Sequence, residues 1–141
     1  MSTPTVGVLD TSTQILIERV DPDELPDQPV ITAVTLAELS VGPLVTDDPF
    51  ERVARQQRLQ LVEASYEPLP FGVAEARVFG HVAAMLRRSG RKPAARAFDA
   101  LIAATALANR LPVYTCNPAD FACIDGLDVR PVTRPPDEIL E

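Results

Sequence analysis

Short apolar runs alternate with longer stretches of helical periodicity along the chain. Residues 5–9 form an apolar run that stops at Asp10, which is typical of a buried strand. Between Gly72 and Ser89, apolar residues recur at spacings of three and four, which predicts an amphipathic helix. Because strands separated by helices are typical of α/β proteins, we predict an α/β fold with a mostly parallel sheet.

Capping residues and prolines mark the remaining elements. Asp48, Pro49 and Glu51 form a strong helix start, with a capping carboxylate, a proline in the first turn and an acid near the positive end of the dipole. A strand over 66–71 is weakened by Pro68 and Pro70, since proline cannot donate to a sheet ladder. The predicted helices cover about 12–20, 35–45, 47–64, 72–89 and 96–110, and the predicted strands cover 5–9, 30–32, 66–71, 112–115 and 127–132.

The length of 141 residues and an apolar fraction of 46% predict one domain with one sizeable core. The tail from about Thr133 is rich in proline and acid, and we expect it to be loosely held. Because the chain has neither a membrane-spanning run nor a secretory leader, we expect a cytoplasmic protein with no membrane partner. Cys116, Cys123 and the single His81 do not form a zinc-binding pattern.

The charge balance argues against bulk attraction to nucleic acid. Asp and Glu number 20 against 13 Lys and Arg, so the net charge is −7. Domains that hold nucleic acid by their overall charge usually carry a basic excess. Aromatic residues make up only 5% and Trp is missing, which excludes an extensive base-stacking platform.

Three acidic residues lie where an α/β sheet places its ligands. Asp10 ends the first strand, Glu38 lies early in the helix after the second, and Asp99 lies near the start of the last long helix. Ligands bind outside the carboxyl ends of the strands, so these acids can converge there. Clustered carboxylates repel unless a cation neutralises them, and an oxygen-only cluster suits Mg²⁺ or Mn²⁺. The chemistry of such a site is metal-assisted phosphodiester hydrolysis.

Each acid also has a structural interpretation. Glu38 follows Thr35 by three residues, which is the spacing of a capping box. Asp99 and Asp120 each lie near a predicted helix start, where the dipole stabilises an acid by about 0.3–1 kcal/mol. Asp10 can cap the helix that follows it. Residue type and spacing alone leave both interpretations open.

Four motifs follow one another at these strand ends and helix starts. They are Val8-Leu9-Asp10-Thr11-Ser12, Thr35-Leu36-Ala37-Glu38-Leu39, Phe98-Asp99-Ala100-Leu101-Ile102-Ala103-Ala104, and Val113-Tyr114-Thr115-Cys116-Asn117 followed by Asp120-Phe121. In this order, and in a chain of this length, they resemble the PIN-domain ribonucleases, most of all the small toxins of VapBC-type toxin–antitoxin pairs. The resemblance extends from Val6 to about Val132.

The resemblance implies a PIN-like three-layer fold, with a mainly parallel central sheet of about five strands and helices on both sides. The family's fourth acidic position matches Asn117, which carries no charge. Whether Asp120 acts instead, and whether one metal ion or two are bound, therefore stays open. The implied catalytic residues and ligands of Mg²⁺ or Mn²⁺ are Asp10, Glu38 and Asp99, with Thr11, Ser12 and Thr115 helping to order the site.

The resemblance also implies a function and partners. It implies an endoribonuclease that cleaves structured cellular RNA of the tRNA or ribosomal class and thereby inhibits growth. It implies a homodimer and a cognate VapB-type antitoxin whose C-terminal segment blocks the site with a basic side chain. The alternative is a PIN-like RNA- or protein-binding regulatory module without activity, for which Asn117 is the only sign.

Other Asp-dependent α/β proteins fit the sequence less well. A phosphoacceptor receiver domain needs an acid pair after the first strand and a late lysine, but no lysine follows Lys92. A haloacid-dehalogenase-like phosphatase needs Asp-x-Asp, whereas Asp10 is followed by Thr11 and Ser12. A dinucleotide-binding domain needs a glycine-rich turn that the chain lacks.

A basic segment leads into the helix of Asp99. One interpretation is a solvated helix end, since cations are stabilised at a helix C-terminus. The other is a patch that contacts RNA phosphates beside the acidic site. The segment holds five of the 13 basic residues within ten positions: Arg87, Arg88, Arg91, Lys92 and Arg96.

Overall fold

A single parallel sheet forms the centre of the computed structural model, which describes residues 3–92 and 96–136. Its strands are β1 (Val6–Leu9), β2 (Gln28–Val30), β3 (Val113–Thr115) and β4 (Val129–Pro131). They lie in the order β2-β1-β3-β4, and every neighbouring pair is parallel. Since β1 and β3 are the two central strands, the residues that follow them meet at the middle of the carboxyl edge.

Helices cover both faces of this sheet. Val8 packs in one apolar cluster with residues of the fourth and fifth helices, whereas Leu9 packs in a second cluster with residues of the second and third. Successive side chains of a strand point to opposite faces, so β1 divides the two layers. The three-layer α/β fold is therefore confirmed. The helices are α1 (Thr11–Ile15), α2 (Ala33–Val41), α3 (Pro49–Ser65), α4 (Val73–Arg88) and α5 (Ala97–Ala108).

The structure refines several predicted boundaries. The segment predicted as a strand at 66–71 contributes one isolated parallel bridge, between Leu69 and Thr32. Pro68 and Pro70 remove the backbone donors on either side of Leu69, so the pairing cannot extend. The described part of the chain therefore has a four-stranded sheet. The first helix ends at Ile15 instead of residue 20, because the hydrogen bonds beyond it span three residues.

Two further features of the fold concern close packing and the membrane. Gly7 lies in β1 against the ring of Tyr114 in β3, where an added Cβ would clash with the ring carbons. Close approach of the two central strands thus requires glycine at this position. Among the described helices, none is long and apolar enough to cross a membrane.

Candidate active site

Asp10 is held at the carboxyl edge of the sheet by donors from three directions. It follows β1 directly and caps α1, with Oδ1 accepting from the backbone N–H of Thr13 at 3.3 Å. Its Oδ2 accepts from the hydroxyls of Thr115 at 2.8 Å and Ser12 at 3.3 Å. Only 3% of Asp10 is exposed. The residue therefore caps a helix and also presents an ordered carboxylate to the edge, so the two interpretations of Asp10 are compatible.

Glu38 is oriented by a hydroxyl of α1 and not by a capping box. The N-cap of α2 is Thr32, whose hydroxyl accepts from the N–H of Thr35 at 3.2 Å. Glu38 therefore lies in the second turn, beyond reach of the cap. Its Oε1 accepts from the Thr11 hydroxyl at 2.7 Å, and that hydroxyl lies 3.0 Å from the hydroxyl of Thr35. The capping-box interpretation of Glu38 is wrong, because its predicted cap, Thr35, lies inside the helix.

Asp99 lies in the first turn of α5, and its environment links it to the other two acids. Burial raises the pKa of Asp99, the negative charge of Asp10 raises it further, and Arg96 partly opposes the rise. Burial also raises the pKa of Glu38; the Thr11 hydrogen bond partly opposes this, and the charges of Asp99 and Asp10 add to it. The three carboxylates therefore lie within electrostatic range of one another.

The carboxylate oxygens of the three acids suit a hard cation, but they are not already arranged as three direct ligands of one ion. Within residues 3–92 and 96–136, no group of three or more His, Cys, Asp or Glu side chains is arranged as a metal site. Mg²⁺ keeps several waters and is usually bound by only one or two carboxylates. The oxygen-only chemistry of Asp10, Glu38 and Asp99 suits such an ion, which would also relieve their mutual repulsion.

A polar network joins the other predicted residues to Asp10. The Thr115 hydroxyl, which donates to Asp10, also accepts from the backbone N–H of Asn117 at 2.9 Å. The Asn117 side chain donates from Nδ2 to the Ser12 hydroxyl at 3.0 Å. Asp120 stands apart from this network, because its carboxylate forms an ion pair with Arg96. Asn117 thus lies next to the acidic cluster, whereas Asp120 holds the side chain of Arg96 at the rim of the cluster.

The basic segment is divided between the rim of the site and the solvent. Arg91 donates to the carbonyl of Ala119 at 2.7 Å, and Arg96 pairs with Asp120. Both contacts attach the segment to the 3-10 turn after β3, beside the site. Residues 93–95 lie outside the described residues. The other three basic side chains are exposed: Arg87, Arg88 and Lys92.

Arg134 is a site residue that the sequence analysis missed. It belongs to residues 132–136, here called the C-terminal strap, which follow β4. Its Nη1 donates to Oδ1 of Asn117 at 3.3 Å. The sequence of this segment indicated only a proline-rich tail, and no local pattern in it predicted the contact with Asn117. Of the predicted tail, residues 137–141 lie outside the described residues, whereas 133–136 form hydrogen bonds with the body of the domain.

A groove with both apolar and charged residues in its walls opens beside Glu38. It has a volume of about 410 Å³, and Arg55 and Arg58 of α3 lie along its wall. Arg55 is fixed by Glu51 at 3.0 Å and by the carbonyl of Gly42 at 2.9 Å. The groove therefore places two arginines beside the acidic cluster, and one of them, Arg55, is paired with Glu51 of the same wall. A larger cavity of about 680 Å³ beside α3 contains none of the three acids.

Comparisons with known proteins match one family over most of the chain. The model of the PIN domain family matches residues 8–127. A Mycobacterium tuberculosis protein named Ribonuclease VapC5 is 41% identical over 128 residues, covering 89% of this chain and 92% of that protein. A Rickettsia bellii protein named Ribonuclease VapC is 31% identical over 126 residues, covering 86% of this chain and 92% of that protein. A crystal structure of VapBC-5, a member of the VapBC family of toxin–antitoxin systems from M. tuberculosis, superposes with a TM-score of 0.80 at 39% identity, covering 92% of this chain and all of that chain.

Proposed function

Because the chain belongs to the PIN-domain family, and to the VapC group within it, we propose that it is an endoribonuclease toxin. Its substrate would be structured cellular RNA of the tRNA or ribosomal class, and cleavage would inhibit growth. The observation that carries the proposal is the convergence of Asp10, Glu38 and Asp99 at the carboxyl edge of the sheet, close enough that Asp10 raises the pKa of the other two.

We propose that this activity depends on Mg²⁺ or Mn²⁺. Asp10 and Asp99 would hold the ion, and Glu38 would either bind it too or orient the attacking water. When bound, the ion offsets the charge of the carboxylates and the scissile phosphate and lowers the pKa of water. Thr115 and Ser12 orient the carboxylate of Asp10. This fixed geometry avoids the reorganisation that a mobile carboxylate would require.

Glu38 either binds the ion or orients the attacking water. The Thr11 hydroxyl fixes its Oε1, so that the other oxygen is available to water. That free oxygen can serve as the general base that accepts a proton from water. In the hydrolysis, the oxygen of water bonds to phosphorus and its proton passes to Glu38 or to solvent. The P–O bond to the leaving oxygen breaks, and that oxygen takes up a proton from solvent.

We further propose a cognate VapB-type antitoxin and a homodimer of the toxin. The solved relative from M. tuberculosis belongs to a toxin–antitoxin system. The net charge of −7 and the carboxylate cluster complement a basic segment of an antitoxin, and a basic side chain placed between the acids would neutralise them. The alternative of an inactive PIN-like binding module predicts association with RNA or protein but no cleavage.

Inducible expression tests the proposal in cells. Wild-type chain should arrest growth and produce new RNA 5′ ends at defined positions, whereas Asp99→Asn should do neither. Asp125→Asn provides a matched control, because Asp125 is exposed and forms part of neither the acidic cluster nor the groove. Equal RNA cleavage by wild type and Asp99→Asn would refute the assignment, and the absence of new 5′ ends with wild type would favour the inactive module.

A further inference from the structure

The C-terminal strap is held on both sides of Arg134. On one side, Thr133 uses both oxygens of Glu24, donating from its N–H at 3.0 Å and from its hydroxyl at 2.8 Å. On the other side, the guanidinium of Arg19 donates to the carbonyl of Pro136 at 2.5 Å. A terminal segment without such contacts would leave an arginine free to move. Here the backbone on either side of Arg134 is fixed relative to the sheet.

The side chain of Arg134 continues a directed chain of hydrogen bonds to the acidic cluster. Arg134 donates to Oδ1 of Asn117, Asn117 donates from Nδ2 to Ser12, and Ser12 donates to Oδ2 of Asp10. This chain needs an amide at Asn117, because a carboxylate has no N–H with which to donate to Ser12. Asn117, which replaces the family's fourth acid, therefore accepts from a guanidinium and donates toward Asp10 at the same time.

The partner of Arg134 is a neutral amide, so this contact brings no negative charge to the guanidinium. Arg96 is paired with Asp120 and Arg55 with Glu51. Across residues 3–92 and 96–136, Arg134 forms no ion pair with an acid, and its contact with Asn117 uses one of its five N–H donors. An exposed arginine with free donors is suited to bidentate binding of a phosphate.

We propose that Arg134 binds a phosphate of the RNA backbone beside the acidic cluster and that the strap positions it there. This inference rests on the proposed ribonuclease function. Asn117 is then a positioning residue that connects the substrate-binding arginine with Asp10. Negative charge on the three acids repels RNA, and a fixed cation at their rim lowers that repulsion where the scissile strand enters.

Binding in a cleavage-deficient background tests the role of Arg134 separately from catalysis. In the Asp99→Asn chain, with bulk bacterial tRNA as the probe, R134Q should lower the affinity roughly tenfold at 50 mM salt. The slope of log affinity against log salt should become shallower by about 0.8, since one phosphate contact is lost. R134K should restore the slope, because lysine keeps the charge. R110Q is the matched control, because Arg110 is exposed and follows the far end of α5. The tRNA affinity of the R110Q variant and its salt slope should equal those of the parent.

Release of the strap gives a second measurement. E24A removes both acceptors of Thr133 and leaves Arg134 intact, so it should lower the affinity less than R134Q does. An R134Q variant that keeps the affinity and salt slope of the parent would overturn this inference alone. An R134K variant with the shallow slope of R134Q would overturn it too. A parent that binds no tRNA, together with a wild type that cleaves no RNA, would overturn the proposed function and this inference with it.

Discussion

Replacing Thr115 with valine removes the hydroxyl that connects β3 to Asp10 while keeping the shape of the side chain. Thr115 is fully buried, and its hydroxyl donates to Asp10 at 2.8 Å and accepts from the N–H of Asn117 at 2.9 Å. A hydrogen bond to a charged group contributes about 1.5–3 kcal/mol, and an orphaned N–H costs about 1–3 kcal/mol more if water cannot replace the partner. We therefore expect Thr115→Val to lower the free energy of unfolding by about 3 kcal/mol.

Urea denaturation at pH 7 measures this loss directly, and about 3 kcal/mol corresponds to roughly 10 °C in the melting temperature of a domain this size. Thr105→Val is the matched control. Thr105 is also fully buried, but its hydroxyl donates only to the carbonyl of Leu101 within α5. That variant should lose about 1 kcal/mol or less. Equal losses in the two variants would refute the claim that Thr115 stabilises the buried carboxylate of Asp10.

Three other predictions concern packing, charge and pH. Gly7→Ala places a methyl group against the ring of Tyr114 and should cost about 1–3 kcal/mol in urea denaturation. Neutralising Arg91 and Lys92 should weaken binding of the cleavage-deficient chain to tRNA and make the salt dependence shallower by about 0.8 for each lost phosphate contact. Because burial raises the pKa of Asp99, its ionised form destabilises the metal-free fold. Asp99→Asn should therefore stabilise the metal-free protein at pH 7, and the gain should shrink as the pH falls and vanish below about pH 3, where the folded and unfolded carboxyls are both largely protonated.

Each of these predictions has a control on the same chain. Gly80 has open space around it, so Gly80→Ala should not destabilise, and a Gly7→Ala variant as stable as the parent would contradict the packing argument. Arg110→Gln should leave tRNA binding unchanged. If neutralising Arg91 and Lys92 changes tRNA binding no more than Arg110→Gln does, the basic segment is only a solvated helix end. An Asp99→Asn gain that persists undiminished at about pH 3 would contradict the assigned cause of the pKa shift.

The sheet and Asp10 were predictable because local and global signals agree there. The apolar run of β1 ends abruptly at an acid, and a buried strand leading into a capped helix places that acid at the carboxyl edge. The helix from Pro49 to Ser65 carries its own start signal. The segment 66–71 was harder to assign, because its apolar residues favoured a strand whereas its prolines permit only a single bridge.

The contacts that complete the site could not be predicted, because they join residues distant in sequence. Glu38 is oriented by Thr11, 27 residues earlier, and not by a neighbour in its own helix. Asp120 lies at the expected place, but its pairing with Arg96 decides its role and has no local signature. Arg134 is in a segment whose composition indicates a loose tail, and only tertiary hydrogen bonds place it beside Asn117.

RNA cleavage by the purified chain tests the metal-dependent mechanism most directly. The protein is incubated with tRNA first in a chelator and then with excess Mg²⁺, and cleavage is followed by gel electrophoresis. The acidic cluster predicts no cleavage in the chelator, cleavage at defined positions after Mg²⁺ is added, and none with Asp99→Asn under either condition, while Asp125→Asn behaves as wild type. Cleavage that continues undiminished in the chelator, or in Asp99→Asn with Mg²⁺, would contradict a divalent-ion site built on Asp10, Glu38 and Asp99.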